Sequence, residues 1–305
     1  MEEPSAEEAT SNSKTPQSSV ISTYRAKIGG LSRNVTVAWG KSQTSHTLCV
    51  TVDKPNNVCT VACKVDLKPW PFWGKLKGSK SVDVDSRRVD IFWNLRAAKF
   101  SESAEPSEGY FIAVVADAEV VLLVGDLTKK AYRKTKSRRA AEHAALVIKK
   151  ETVLGKKCFN ARTKFDEKEK EEHDIVVVHS ISGQKDPEMW ISIDGTVSIH
   201  VANLKWKFRG NGTVWVEKVP VQVLWDVHDW LFKGHGVGQA TFIFKPGVPP
   251  PPPPAADAAA EEDEAISTQC VDDDDGDSGG NSLRSSCGGD GFHEFCFFLY
   301  AWKTE

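Results

Sequence analysis

Residues 110–124 read YFIAVVADAEVVLLV, and they decide the class of fold. The two apolar runs on either side of Asp117 and Glu119 show no alternation between apolar and polar positions. A strand with one face in water alternates, whereas a strand covered on both faces reads as a continuous apolar run. The stretch therefore predicts two central, doubly covered β-strands, joined by a turn over residues 116–119.

Alternating patterns extend this β structure along the chain in both directions. Residues 35–39 alternate with the period of two that half-buried strands show, and residues 82–95 predict a hairpin about Asp85-Ser86-Arg87. The alanines within residues 137–150 allow a helix, but the run Leu146-Val147-Ile148 favours a strand there. We therefore predict an all-β fold, a large antiparallel β-sandwich or barrel with little helix.

Charge is distributed unevenly along the 305 residues. Residues 1–20 hold four acids and one base, and residues 255–305 hold thirteen acids and two bases. The body between these tails carries a formal charge of about +11, because it holds 36 bases and 25 acids. A basic body attracts an anionic surface, or the acidic tail of its own chain.

Composition divides the chain into four segments. We predict a disordered acidic tail over residues 1–20, an all-β domain over 21–247, and a disordered, acidic, Pro-rich segment over 248–291. Residues 292–303 are strongly aromatic, and burying several aromatic side chains is favourable. We therefore expect them to return as a final strand of the β domain, so that the acidic segment is a long loop.

Neither secretion nor a membrane span is predicted. The first twenty residues lack an apolar stretch, and no segment approaches the roughly 18 apolar residues that a span needs. Seven cysteines in such a chain are typical of free thiols in a reducing compartment. We expect an intracellular protein, in the first place cytoplasmic, with the nucleus and the peripheral membrane surface as alternatives. No cofactor and no metal site is predicted.

Five of the ten tryptophans fall between Trp190 and Trp230, within a run of short predicted strands. On a strand over residues 221–228, Trp225 shares one face with Val223 and Val227, while polar residues face the other way. The aromatic side chains of this block are therefore predicted to form part of the core.

The dipeptide Asp194-Gly195 is typical of a two-residue hairpin turn. That turn would place Ile193 opposite Thr196 and Ile191 opposite Ser198, so that apolar and polar residues share a face. We expect a three-residue loop or a β-bulge instead, because a slip of one residue exposes half of the apolar set.

The densest basic stretch lies at residues 129–139, where seven cations surround one tyrosine. It falls at a connection between strands, and a solvated loop can carry such charge at little cost. The same charge can bind nucleic acid, anionic lipid or the acidic tail. We predict a basic loop that binds an anionic partner through Lys129, Lys130, Arg133, Lys134, Lys136, Arg138 and Arg139.

A second basic stretch covers residues 204–212. If it forms a strand, Lys205, Lys207 and Arg209 share one face, and Trp206 and Phe208 share the other. We interpret it as an edge strand with its aromatic side chains inward and its cations outward. The alternative is a cationic strip for an anionic partner.

Asp226, His228 and Asp229 form the most catalytic-looking polar group, because a carboxylate can orient a histidine for acid–base chemistry. On one strand, Asp226 and His228 would point the same way. The alternative is a polar strand face without a reaction, since no nucleophile or metal-ligand pattern accompanies the group.

These features support three hypotheses about function. The leading one is a non-enzymatic, β-rich binding or interaction module, which uses its basic surface to bind a protein or an anionic lipid or nucleic-acid surface. The first alternative is a lipocalin-like protein that holds a small apolar ligand among the tryptophans. The second is a hydrolase-type enzyme that uses Asp226 and His228.

Several strings resemble a plant family known only as a domain of unknown function, family 868. The resemblance spans residues 21–246 and the ending Tyr300-Ala301-Trp302-Lys303. It implies a plant protein with an all-β domain, and it transfers no catalytic residue, cofactor or partner. Where that family has Asp-Gly in the central hairpin, this chain has Asp117-Ala118. The strings that carry the resemblance are Tyr24-Arg25-Ala26, Gly78-Ser79-Lys80-Ser81, Val89-Asp90-Ile91-Phe92-Trp93, Pro106-Ser107-Glu108-Gly109, Ala131-Tyr132-Arg133-Lys134-Thr135-Lys136, Trp206-Lys207-Phe208-Arg209-Gly210-Asn211, and Val223-Leu224-Trp225-Asp226-Val227-His228-Asp229-Trp230-Leu231-Phe232.

Overall fold

The computed structural model describes residues 17–53, 59–67, 76–166, 172–181, 186–233, 238–247 and 295–304. Of these residues, 65% lie in strands and 6% in helices, which confirms the predicted all-β class. Most of the predicted acidic tail and of the Pro-rich, acidic segment lies outside the described residues.

Eighteen strands and two helices make up the described part of the chain. In chain order they are β1 (Ser18–Ile28), β2 (Leu31–Lys41), β3 (His46–Asp53), β4 (Cys59–Leu67), β5 (Lys77–Val84), β6 (Arg87–Asn94), β7 (Phe111–Ala116), β8 (Glu119–Val124), α1 (Thr128–Thr135), β9 (Arg138–Arg139), β10 (Ala145–Gly155), β11 (Cys158–Thr163), β12 (His173–Ser180), β13 (Glu188–Ile193), β14 (Thr196–Val201), β15 (Arg209–Val216), β16 (Val219–Asp226), α2 (His228–Phe232), β17 (Gly238–Pro246) and β18 (Cys296–Lys303).

The strands form three sheets. The largest has nine strands in the order β15-β16-β17-β18-β10-β1-β2-β3-β4, and it is accompanied by a four-stranded sheet β11-β12-β13-β14 and a five-stranded sheet β5-β6-β7-β8-β9. Neighbouring strands are antiparallel except for the pairs β10–β18 and β8–β9. The connections are therefore mostly hairpins, as the frequent turn residues predict.

One half of the nine-stranded sheet, β1 to β4, packs against the five-stranded sheet to form a first sandwich. Trp39 lies at its centre with Ile112 and Val114, and all three side chains are buried. The alternate residues of β7, such as Phe111 and Ala113, are buried on the opposite face beneath α1. The two central strands are thus covered on both faces, as the sequence predicts.

The other half of the nine-stranded sheet, β15 to β18, packs against the four-stranded sheet to form a second sandwich. Its core contains the buried side chains of Trp230, Phe242 and Phe297. The Trp230 indole stacks on Phe159, with ring centroids 4.9 Å apart, and its Nε1 donates a hydrogen bond to the Ala301 carbonyl. The fold is therefore a pair of sandwiches that share one large sheet.

β10 and β18 lie in the middle of that shared sheet. β18 pairs in parallel with β10 over eight residues and in antiparallel fashion with β17. These two ladders join the strands of the second sandwich to those of the first. Among the described residues, no helix is long and apolar enough to cross a bilayer.

The Asp194-Gly195 hairpin combines a tight turn with a bulge. Asp194 and Gly195 both have positive φ, and Ile193 lies opposite Thr196, which is the pairing that the prediction excluded, so the expected register at this turn is wrong. The register then shifts through a β-bulge, so that Ile191 lies opposite Ile199. One extra residue in β14 therefore restores the apolar pairing that the two-residue turn disrupts.

The tryptophan block is only partly a core element. Trp230 is buried, but Trp206 is 88% exposed and Trp215 is 60% exposed. The predicted strand around Trp206 is wrong, because residues 203–207 form a turn in which the Trp206 N–H donates to the Asn203 carbonyl. A buried Leu204 at the base of this turn replaces Trp206 as the inward side chain.

Replacing Ala118 with glycine should stabilise the central hairpin. Asp117 and Ala118 have φ values of 50° and 61°, in the left-handed region that disfavours side chains. Relief of this strain, less the entropy that glycine adds to the unfolded chain, should raise the unfolding free energy by about 0.5–1 kcal/mol. Urea denaturation measures this change. Ala116→Gly, in the strand just before the turn, should destabilise the protein, and equal effects at both positions would contradict the explanation.

Candidate anion-binding cleft

The basic stretch folds mainly as a helix, so the predicted loop is wrong. α1 lies across the outer face of β7 and β8, and Ala131 is its buried contact. Leu127 and Tyr132 pack against the same apolar cluster, which includes Phe111. Apolar residues four and five positions after Leu127 therefore hold the helix on the sheet with it and leave the cations at the surface.

A cleft of about 260 Å³ lies beside this helix. Its strand side is a single row across β5, β6 and β7, because Lys77 lies opposite Asn94 and Asn94 lies opposite Phe111. Directly opposed residues in neighbouring strands point to the same face. The helix side is formed by Lys130, Arg133 and Lys134. Their spacing of three and four residues places them on one face of α1.

The four cations of the cleft have no neutralising partner within the described part of the chain. No salt bridge there involves Lys77, Lys130, Arg133 or Lys134, whereas Arg138 outside the cleft pairs with Glu119 at 2.7 Å. Like charges in one cleft repel each other, so this arrangement is a cost to the folded protein unless an anion binds.

The position of Lys130 on α1 adds to that cost. The first turn of the helix contains no acidic residue, and no side chain caps its N-terminus. The helix dipole favours anions at this end, so Lys129 and Lys130 oppose it, whereas Arg133 and Lys134 in the last turn complement it. Helix stability therefore does not account for the two lysines of the first turn.

The cleft offers groups that bind an anion. Arginine presents a planar fork of donors, lysine presents an ammonium group, and Asn94 adds an amide. The Asn94 Oδ1 already accepts a hydrogen bond from the Arg96 backbone N–H at 3.3 Å. Its amide nitrogen is a donor, so the lining favours a compact anion with several oxygen atoms.

Three of the seven predicted anion-binding residues meet in this cleft, namely Lys130, Arg133 and Lys134. The other four, Lys129, Lys136, Arg138 and Arg139, are exposed but do not line it. Sequence reasoning missed Lys77, Asn94 and Phe111. The predicted hairpin was centred on Asp85-Ser86-Arg87, whereas the two-residue turn at Asp85-Ser86 pairs Lys77 with Asn94, so this part of the cleft was not predicted.

The group Asp226, His228 and Asp229 is not arranged as predicted. β16 ends at Asp226 and His228 begins α2, so the two side chains do not share a strand face. Asp226 pairs with Arg209 at 2.8 Å, and its Oδ1 accepts the His228 backbone N–H. Asp229 is bound by Lys233 and His228, which hold the pKa of its carboxyl below the usual range.

Neither of the two best-formed clefts in the described residues is lined by this group or by a tryptophan. The second cleft, of about 220 Å³, lies on β15 to β17 and includes Gln222 and Lys245. The hydrolase and apolar-ligand hypotheses remain predictions. Each carboxylate of the polar group has a structural partner that accounts for it.

A buried polar cluster lies on the inner face of β10 and was not predicted. Glu151 is 5% exposed, and burial raises the pKa of its carboxyl to about 7. Lys149, on the same face and 7% exposed, donates to the Arg162 carbonyl at 2.6 Å. The Tyr110 hydroxyl donates to Glu105 at 3.0 Å, and burial raises the pKa of that carboxyl too.

A comparison with family profiles gives one match, over residues 15–303, to a family described as plant protein of unknown function (DUF868). No curated protein and no solved structure matches the chain. The match covers all described strands and both helices. The description of the family names no ligand and no reaction.

Proposed function

The chain belongs to the DUF868 family of plant proteins of unknown function, and from that starting point we propose that it is a non-enzymatic binding module. Its ligand site is the cleft between α1 and the row Lys77, Asn94 and Phe111. The ligand is a compact, multiply charged anion of the phosphate class, either free or carried by a larger partner.

One observation carries this proposal. Three cations of α1 converge with Lys77 on a single cleft, and no described acid neutralises them. A solvated surface helix would gain from acids in its first turn, and α1 has none there. Lys130 both opposes the helix dipole and faces the cleft, and its position is better explained by a ligand than by folding.

The choice of a phosphate-type anion follows from the donors. An arginine fork and several ammonium groups bind oxygen atoms of a tetrahedral anion at once, and each charge-assisted contact is stronger than a neutral hydrogen bond. The apolar floor at Phe111 limits the depth of the cleft. A small head group fits this shape better than the extended backbone of a nucleic acid, which needs a longer basic track.

Isothermal titration calorimetry with inorganic pyrophosphate tests the proposal. The double variant Arg133→Ala/Lys134→Ala should weaken binding by at least about tenfold, because it removes two charge-assisted contacts. The native affinity should fall as salt is raised, since screening weakens exposed charges.

The pair Lys129→Ala/Lys136→Ala is a matched control for this experiment. It removes the same charge from the same helix segment, but neither side chain lines the cleft. Affinity within about twofold of the native value is expected. Equal losses in both double variants would indicate diffuse attraction, and an absence of binding to the native protein would refute the proposal.

The carboxylates of the same chain are a candidate competitor of the phosphate-type ligand. If they occupy the cleft, a variant that lacks residues 249–292 should bind pyrophosphate more tightly than the full chain, because the competitor is removed. An unchanged affinity would assign the cleft to an external partner.

A further inference from the structure

A rigid turn presents Trp206 to solvent. The Trp206 and Lys207 backbone N–H groups both donate to the Asn203 carbonyl, and Asn203 has a φ of 56°. The buried Leu204 fixes the base of the turn, and its N–H donates to the Pro187 carbonyl. The Lys207 carbonyl accepts the Trp225 indole N–H at 3.0 Å. Backbone hydrogen bonds and the buried Leu204 therefore fix the shape of this projecting turn. Its most exposed large side chain is apolar.

A second exposed aromatic side chain lies nearby. Phe232, at the end of α2, is 51% exposed and packs edge-on against Phe208, with ring centroids 5.6 Å apart. Phe208 is only two residues after Trp206, which limits the distance between their Cα atoms to about 7 Å. We refer to Trp206, Phe208 and Phe232 as the aromatic tip.

Cations surround the aromatic tip. Lys205 and Lys207 flank Trp206, and no salt bridge within the described residues involves either. Arg209 and Lys233 are paired with Asp226 and Asp229. The two unpaired lysines leave the tip with a net positive charge next to apolar rings.

Exposed tryptophan beside unpaired lysine fits one kind of partner better than others. Tryptophan favours the boundary between water and hydrocarbon, because its ring is apolar and its N–H is polar. Lysine near an anionic bilayer is attracted by the surface potential. We propose that the aromatic tip binds the surface of an anionic lipid bilayer, with Trp206 inserted at the level of the head groups. This inference concerns a different surface from the α1 cleft and does not depend on it.

Co-sedimentation with phosphatidylcholine vesicles, with and without phosphatidylserine, tests the inference. The native chain should bind only the vesicles that contain phosphatidylserine. Lys205→Ala/Lys207→Ala should weaken this binding by about thirtyfold, because each lysine near an anionic surface contributes about fivefold. Trp206→Ala should weaken it by about tenfold, and brominated acyl chains should quench native emission more than that of this variant.

Trp215→Ala is the matched control, because Trp215 is also an exposed tryptophan. It lies six residues beyond Arg209 on the extended β15, about 20 Å along the strand from the tip. Its vesicle binding should equal that of the native chain. All of these side chains are exposed, so thermal unfolding should show that each variant keeps the fold.

Three results would overturn the inference. If the native chain does not bind phosphatidylserine vesicles, the aromatic tip does not bind an anionic bilayer, and a protein becomes the expected partner. Equal losses of vesicle binding for Trp206→Ala and Trp215→Ala would show that the aromatic tip contributes no more than another exposed tryptophan. Loss of vesicle binding in Arg133→Ala/Lys134→Ala, with Trp206→Ala unaffected, would assign the lipid to the α1 cleft instead.

Discussion

A chain that ends at residue 294 will not form the native fold, although it lacks only eleven residues. β18 lies between β17 and β10, so its loss leaves two ladders unpaired in the middle of the nine-stranded sheet. The second core also loses Phe297 and Leu299, both fully buried. Burial of these two side chains alone contributes about 5 kcal/mol, which is comparable with the total stability of many domains.

Two further contacts tie β18 to the second core. The Ala301 carbonyl accepts the Trp230 indole N–H, and the Lys303 ammonium donates to the Trp230 carbonyl at 3.1 Å. Truncation therefore leaves buried donors and acceptors without partners, as well as a cavity. Size-exclusion chromatography, far-ultraviolet circular dichroism and urea denaturation should show an aggregated or unfolded chain.

A much larger deletion serves as the control. The antiparallel register places Phe244 opposite Phe297, so the ends of β17 and β18 can be joined by a short glycine-containing turn that replaces residues 249–292. This variant should unfold cooperatively, with a stability near that of the full chain, because long loops add little to the entropy of closure. A folded truncated chain, or an unfolded joined chain, would contradict the role that we assign to β18.

Local patterns account for the part of the fold that the sequence predicts. The turns at Asp85-Ser86 and Asp117-Ala118 each consist of two residues with positive φ. The register of the first hairpin follows from its turn, whereas the register of the second shifts between Val114 and Val115. The apolar alternation of β2 likewise marks the face that Trp39 shares with the core. The family resemblance was confirmed by a match over residues 15–303.

Long-range pairing accounts for much of what the sequence does not predict. The parallel pairing of β18 with β10 joins segments about 150 residues apart, and neither segment carries a signal for the other. The α1 cleft needs Phe111 beside Asn94, and the sixteen residues that separate them form no tight hairpin turn that would fix this pairing. The strand side of the cleft therefore depends on the exact hairpin register and on tertiary structure, and neither was predicted.

The remaining differences between the predicted and the observed fold lie where a helix forms in a stretch for which the sequence pattern predicted a loop or a strand. The seven cations of residues 129–139 obscured a helix whose apolar side consists of Leu127, Ala131 and Tyr132. The strand predicted through His228 instead ends at Asp226, where that carboxylate accepts the His228 N–H and starts a short helix. At the second place, the bond of the Asp226 side chain to the backbone ends the alternation of the strand.

Replacing Glu151 with glutamine should raise the stability of the protein at pH 8 by up to about 3 kcal/mol. The native pKa of this carboxyl is raised from 4.5 to about 7, and burial is the main cause. Between these values the unfolded chain releases the proton while the folded protein keeps it. The unfolding free energy therefore falls as the pH rises through this window, and it stays low above pH 7.

Burial sets the sign of this prediction, and the charged neighbours of Glu151 modify it. Lys149 lowers the pKa of Glu151, whereas Glu105 and the partly exposed Glu172 raise it. Glutamine can still accept the hydrogen bond that the Arg162 backbone donates to this side chain. Lys149 keeps the Arg162 carbonyl at 2.6 Å and Glu172 at 3.6 Å, so it is not left buried without a partner.

Urea denaturation at pH 4.5 and pH 8 separates this effect from a general change in stability. The native protein and Glu151→Gln should be similar at the lower pH and should diverge at the higher one. Glu142→Gln removes the same charge from an exposed pair with Lys27, so it should change stability by less than about 0.5 kcal/mol at either pH. Parallel pH profiles for the native protein and Glu151→Gln would show that Glu151 does not bind the proton, and would place the neutral-pH titration on another member of the buried cluster.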